Sequence, residues 1–239
     1  MTAGAPAIDL AVEGTRADEW DAVVHAMPRW MLDDVDAQRV VVVAPHPDDE
    51  SLGIGGTVAM LGRRLPVRVV AVTAGEAAPS RLSPAVLAAR RQDELDEAVG
   101  RLVPRADIVR LWLADGAVTT MQDVLAERLA TLIEPCDLVL STLDGDGHPD
   151  HDATGRVARE VAAERGATHL WFPVWAWHWH DPQRSALRRG WRVDLDTPAI
   201  RAKAAAIAAH RSQVDGEEPV VPSRQVRRCL RPFEVVLPA

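Results

Sequence analysis

Two short stretches of the chain concentrate the side chains that bind metals and move protons. The first is Pro45-His46-Pro47-Asp48-Asp49-Glu50, followed by Leu52-Gly53 and Gly55-Gly56. Prolines on both sides of His46 stiffen the backbone and withdraw two N–H groups, so neither strand nor helix runs through it. Three consecutive carboxylates raise the electrostatic energy of a buried turn unless a cation sits among them. Helix capping is the plainer reading of such acids; it accounts for one or two of them, not for a histidine locked between prolines. The second stretch, Asp144-Gly145-Asp146-Gly147-His148-Pro149-Asp150-His151-Asp152, again combines His, Pro and carboxylate. Neutral imidazoles with a carboxylate suit zinc, and three protein ligands with an open position make a catalytic centre rather than a structural one. A tight turn can aim His46 and Asp49 at one point. Adjacent side chains diverge, so one of Asp48 and Asp49 ligates while the other accepts a proton from the attacking water. His148 or His151 supplies the third ligand. The other is left to stabilise an oxyanion or protonate a leaving amine, with Asp150 fixing its tautomer. Spacing alone does not choose between these two histidines.

Strand–helix alternation positions both stretches. Arg39–Ala44 is a β-branched run, too short for a helix and apolar on both faces, as in a central parallel strand. Val67–Thr73, Asp107–Leu113, Asp137–Thr142 and Thr168–Phe172 repeat it. Between them lie helical stretches, Leu52–Arg64, Pro84–Val103, Thr119–Ile133 and Asp152–Arg165. Right-handed crossovers then give an α/β fold, a doubly wound, mostly parallel, Rossmann-like sheet with helices on both faces. In the strand order 3-2-1-4-5, strands one and four are neighbours where the winding reverses, and loops leaving their carboxyl ends form the binding crevice. The two His/Asp loops, about a hundred residues apart, should therefore face each other. The whole chain, 1–239, reads as one domain. Residues 1–38 form an extension with a short helix at Asp18–Ala26, 39–213 the core, and 214–239 a C-terminal loop (Pro219–Pro222) and strand (Phe233–Leu237). A late strand at Trp191–Leu195 and a helix at Thr197–His210 fall within the core.

These residues resemble the PIG-L/LmbE family of zinc-dependent N-acetylglucosaminyl deacetylases, whose hallmark is a strand followed by (A/P)HPDDE with small glycines and, later, an HPDH-type loop. The match is Pro45 through Glu50 with Gly53, Gly55 and Gly56, and His148 through His151. Thr73-Ala74-Gly75-Glu76, the pair Arg91 and Glu94, and Lys203 with His210-Arg211-Ser212-Gln213 are similar to further family motifs, so the likeness extends over residues 39–213. It implies His46, Asp49 and His151 as ligands of one divalent ion, zinc by family and iron, manganese or cobalt by chemistry, since a His₂Asp site accepts several. It implies Asp48 as general base, and His148, supported by Asp150, as the group that helps the oxyanion or leaving group. The implied reaction is hydrolysis of an N-acetyl group on a glucosamine-type sugar or sugar-bearing metabolite by metal-bound water. Some zinc deacetylases use a Tyr hydroxyl at the oxyanion. This chain has no Tyr, which leaves that task to the metal and His148.

Other residues carry weaker signals. Trp171-Phe172-Pro173-Val174-Trp175-Ala176-Trp177-His178-Trp179-His180 follows the fifth strand. Its alternation suggests an extended segment in which Trp177 and its neighbours either wall a sugar site or fill the core. Arg91 and Glu94, a turn apart, read by default as an exposed ion pair; the resemblance offers Arg91, and with it Glu76, as substrate-binding residues.

Composition narrows the partners. A formal net charge of −8 with a single lysine, Lys203, argues against nucleic acid. Cys136 and Cys229 form no motif. Met1–Leu10 has neither a basic n-region nor an apolar core, and no apolar run reaches membrane-spanning length, so a cytoplasmic protein is expected; a small amino sugar as its partner is what the family resemblance implies. Oligomeric state is not legible. One competing reading is an amidase of the same mechanism acting on a larger sugar or thiol-conjugate amide. A non-catalytic metal- or nucleotide-binding module is another; no GxGxxG follows the first strand, and the acids there would repel a pyrophosphate.

Overall fold

The computed structural model describes residues 13–217 and 219–239; Met1–Leu10, read above as lacking a leader, lies outside them. The elements in chain order are α1 (Asp21–Ala26), β1 (Arg39–Ala44), α2 (Asp49–Leu61), β2 (Val67–Thr73), α3 (Pro84–Leu102), β3 (Asp107–Leu113), α4 (Gln122–Ala130), β4 (Asp137–Thr142), α5 (Pro149–Arg165), β5 (Thr168–Phe172), α6 (Ala176–Trp179), β6 (Trp191–Asp194), α7 (Thr197–Ala209), α8 (Arg211–Val214), α9 (Ser223–Cys229) and β7 (Phe233–Pro238). The strands form one sheet in the order β3-β2-β1-β4-β5-β7-β6. The first five are parallel, and β7 and β6 extend the sheet antiparallel. Among the described residues no helix is long and apolar enough to cross a membrane.

The period of two along β1 explains both faces. Val40 and Val42 join Val69, Leu138 and Leu140 in a core with α2, α3 and α7 residues such as Ile54, Leu95 and Ile207. Val41 and Val43 point the other way, into a second core with Leu125 and Leu129 of α4 and Val157 and Val161 of α5. Each such side chain, fully buried, contributes about 1.5–3 kcal/mol. A strand buried on both sides is thereby held in register from two directions, and Val43 of β1 lies opposite Ser141 of β4.

The helices depart from expectation at their ends. α2 starts at Asp49, not Leu52, because Asp49 and Glu50 form its first turn, where acids favour the dipole. α5 starts at Pro149, a residue preorganised for the first helical position. α4 is shorter than Thr119–Ile133, a 3-10 turn at Val118–Thr120 taking its start. The Trp-rich stretch is not extended throughout. It turns into the short helix α6 once β5 ends, so its alternation does not mark two faces. The loop at Pro219–Pro222 leads into a helix the sequence did not suggest, α9, whose mostly polar face gives little apolar periodicity.

Candidate metal centre and active site

β1 and β4 are paired neighbours, so the loops that leave their carboxyl ends meet. In the first, the Asp49 carboxylate folds back, its Oδ2 accepting from His46 N at 2.9 Å and lying 3.3 Å from His46 Nδ1. The same Oδ2 is 3.3 Å from His151 Nε2, contributed by the second loop's helix. That nitrogen is buried and makes no hydrogen bond. The far side of each ring is held by carboxylate. Asp146 Oδ2 lies 2.8 Å from His151 Nδ1. Asp115 Oδ1 and Asp150 Oδ2 lie 3.1 and 3.4 Å from His46 Nε2. Carboxylates behind the rings leave His46 Nδ1 and His151 Nε2 aimed, with Asp49, at one locus, the pattern of metal-binding histidines. His148 also stands close, ring nitrogens of His46, His148 and His151 lying within 4.8 Å of one another. Its Nδ1 is occupied as an acceptor from Asp150 N, at 3.2 Å.

Asp48 sits beside this cluster under backbone strain, with φ 140° in a non-glycine residue. Glu50 Oε2 accepts from its N–H at 3.0 Å, and Glu50 Oε1 is 3.0 Å from His210 Nε2. Arg91 Nη2 donates to Pro47 O at 2.8 Å and reaches Asp48 Oδ2 at 3.4 Å, while Nη1 donates to Gly75 O at 3.0 Å. Burial pushes the Asp48 carboxyl up to about 6, with Arg91 opposing and Asp49 reinforcing the shift. Burial opposes charge on Asp49 too, yet His151 and His46 hold it well below the usual carboxylate range. Burial disfavours a charged His46, but hydrogen bonds with Asp115, Asp150 and Asp49 outweigh it and raise the ring well above an ordinary imidazole. His151 is likewise raised, to about 9, Asp49 and Asp146 overcoming burial. Burial, with His151 and His46 nearby, lowers His148 to about 3.

Six of the expected residues, His46, Asp48, Asp49, His148, Asp150 and His151, thus come together, with one change of partner. Asp150 was expected behind His148. Its carboxylate instead accepts from Gly116 N and Val118 N and faces His46; only its backbone N–H serves His148. Arg91 and Glu94 are not an exposed pair. Both are buried; Glu94 binds Arg90 and Ser212, so α3 turns the two in different directions. Glu76 is half-buried at the crevice edge, Oε1 accepting from Asp115 N at 3.0 Å and Oε2 unpartnered. Trp177 is buried edge-on against Trp20 at 5.0 Å between centroids, which favours the packing reading. Asp115, Asp146 and the partnering of Glu50 with His210 were missed. The signals were present: Asp115 follows the carboxyl end of β3, and Asp146 stands between two glycines in the second loop.

The chain resembles known deacetylases over this region. It is 33% identical over 139 residues to a probable N-acetyl-alpha-D-glucosaminyl L-malate deacetylase 2 of Bacillus anthracis, covering 53% of this chain and 60% of that one. The Bacillus subtilis (strain 168) protein of the same name is 32% identical over 128 residues, covering 49% and 58%. The match thus spans less than two thirds of either relative. Among solved structures, the N,N'-diacetylchitobiose deacetylase of Pyrococcus horikoshii superposes with a TM-score of 0.60 at 25% identity, covering 76% of this chain and 73% of that one. Residues 41–162, which carry both His/Asp loops and make up just over half of the sequence, match the PIG-L family, GlcNAc-PI de-N-acetylase, and the chain belongs to that family.

Proposed function

We propose that the chain is a metal-dependent N-deacetylase that hydrolyses the N-acetyl group of an N-acetylglucosamine-type sugar or a metabolite bearing one. The observation that carries this is the convergence of His46 Nδ1, Asp49 Oδ2 and the unpartnered His151 Nε2 beside the elevated carboxyl of Asp48. Two nitrogens and one carboxylate oxygen, backed by carboxylates, fit zinc. The surrounding carboxylates raise the basicity of both imidazoles, and a divalent cation held by the same atoms would supply positive charge there instead. Held by His46, Asp49 and His151, such an ion would supply Lewis-acid polarisation of the amide carbonyl and a more acidic attacking water.

The chain's own residues supply the rest. Asp48, held by Glu50 and Arg91, accepts the proton of the attacking water, and an acidity near 6 lets it both take and return a proton near neutral pH. His148 is neutral, and because Asp150 N–H occupies its Nδ1, the ring's own proton sits on Nε2. It therefore offers a neutral N–H donor to the developing oxyanion, the role a Tyr hydroxyl fills elsewhere. The names of the Bacillus and Pyrococcus relatives, deacetylases of N-acetylated sugars, support this substrate class.

The test is metal content by mass spectrometry together with amine release from N-acetylated sugars, for wild type, Asp49→Ala and His151→Ala. About one equivalent of metal in wild type, lost with activity in both variants, is expected. Variants that keep the metal, or a wild type that cannot be loaded, overturn the assignment.

A further inference from the structure

We propose that Asp146 is the positioning residue for His151, and that through it the aim of this ligand depends on the tryptophan-bearing turn after β5. The inference rests on the metal-centre reading above and adds a residue and a coupling to it.

Asp146 is fully buried. Its Oδ1 accepts from Val174 N and Ala176 N, each at 2.9 Å, and its Oδ2 accepts from Trp175 N at 2.8 Å and faces His151 Nδ1 at 2.8 Å. Three backbone N–H groups donate to this carboxylate, so the oxygen it turns to His151 stands as an acceptor. An acceptor against Nδ1 requires that nitrogen to carry a proton. A neutral His151 must then present its Nε2 lone pair toward Asp49. The order of control runs from the turn to Asp146, and from Asp146 to His151.

The surrounding loop is shaped for this. Gly145 and Gly147 flank Asp146 with φ of 99° and 92°, in the left-handed region that other residues resist. They reverse the chain on either side, so that Asp146 is buried while both glycines are exposed. The turn also grips the loop directly. Trp179 packs on Gly147, where an added Cβ would lie 2.7 Å from Trp179 Cδ1, and His180 Nε2 is 3.0 Å from Gly145 O. The ligand-bearing loop and the turn carrying Trp175, Trp177 and Trp179 thus move as one piece around a single carboxylate. A displacement of the turn displaces His151.

Asp146→Asn tests the first half. It keeps the shape but places an NH₂ group against donors, which drives the His151 proton to Nε2 and turns an N–H toward the ion. Chelator competition should show metal affinity lowered roughly 10–100-fold, with the far-UV circular dichroism of the metal-free variant unchanged. Wild-type affinity in folded D146N overturns the proposal. The second half, and the case in which D146N does not fold, is decided by Gly147→Ala against Gly166→Ala. Both place alanine at positive φ, but nothing lies within 4 Å of a Cβ at Gly166. G147A, which presses on Trp179, should weaken metal binding roughly tenfold, while G166A retains it; equal affinities for the two overturn the coupling. A wild type that takes up no ion sinks the metal-centre reading and this inference together. One equivalent in wild type beside an unaffected D146N sinks this inference alone.

Discussion

The two loops that meet at the crevice use the same residue types in different ways. The β1–α2 loop carries its chemistry on carboxylates and is braced from outside. Arg91 of α3 holds Pro47 O and Asp48, and His210, at the end of α7, holds Glu50, which in turn accepts Asp48 N–H. Its backbone is strained at Asp48, a residue that pays no part of that strain through a glycine's freedom. The β4–α5 loop carries its chemistry on imidazoles whose immediate partners are its own residues, while Asp146 is in turn held by the amides of the turn after β5. Asp146 stands five residues before His151, and Asp150 N–H serves His148 two residues away. Glycines at positive φ remove its strain. The difference follows from chemistry. A carboxylate with a raised pKa needs a dry environment, which distant elements supply, whereas each ring of the second loop needs one oriented partner, which the loop provides and, for His151, the turn after β5 fixes.

The largest effect that sharpens this contrast is expected at Asp48. Asp48→Asn should lower kcat by about 10²–10⁴-fold while metal content by mass spectrometry stays at the wild-type level; loss of metal together with activity would place Asp48 among the ligands instead. Next comes the distant brace. His210→Ala takes from buried Glu50 its imidazole partner and leaves it only Ser51 Oγ and Asp48 N–H; removing one member of such a pair costs up to about 3–5 kcal/mol, to be read by denaturant unfolding of the metal-free protein. A loss within the noise would show that the first loop holds itself.

The pH dependence of stability comes third. His151 has a folded pKa of about 9, and His46 is shifted in the same direction. A raised folded pKa contributes stability that is full below the ordinary imidazole value near 6.5 and is lost as pH rises through about 9. The metal-free protein should therefore melt lower at pH 9 than at pH 6.5. The metal-loaded protein gains over the same window, because the ion needs both rings deprotonated. Thermal melts with and without chelator should diverge as pH rises; parallel curves would remove the imidazoles from the site.

The smallest effect is expected at Asp115. His46 Nε2 has two carboxylates behind it, where His151 Nδ1 has one. Asp115→Asn should therefore reduce metal affinity by less than the roughly 10–100-fold typical of losing a sole partner, in the same chelator competition. A loss as large as that of D146N would mean that Asp150 does not back His46.

The sequence by itself determined the five parallel strands, their residue limits and their order, because a strand buried on both faces must be a short apolar run and right-handed crossovers leave few ways to wind it. It also determined that the loops after β1 and β4 face each other, since neighbouring strands at the winding reversal share one crevice. Tertiary structure alone decided who serves whom within the crevice. Asp150 turned to His46 because the amides of Gly116 and Val118 hold its carboxylate there, and those amides belong to a loop more than thirty positions away. Arg91 became a buried brace because α3 packs where three oxygens, from Pro47, Asp48 and Gly75, lie within its reach. Trp177 went to the core because Trp20, more than 150 positions earlier, covers it. Periodicity records which way a side chain leaves its own backbone. The partner it finds depends on distances between elements, and those are set only when the sheet and its helices have packed.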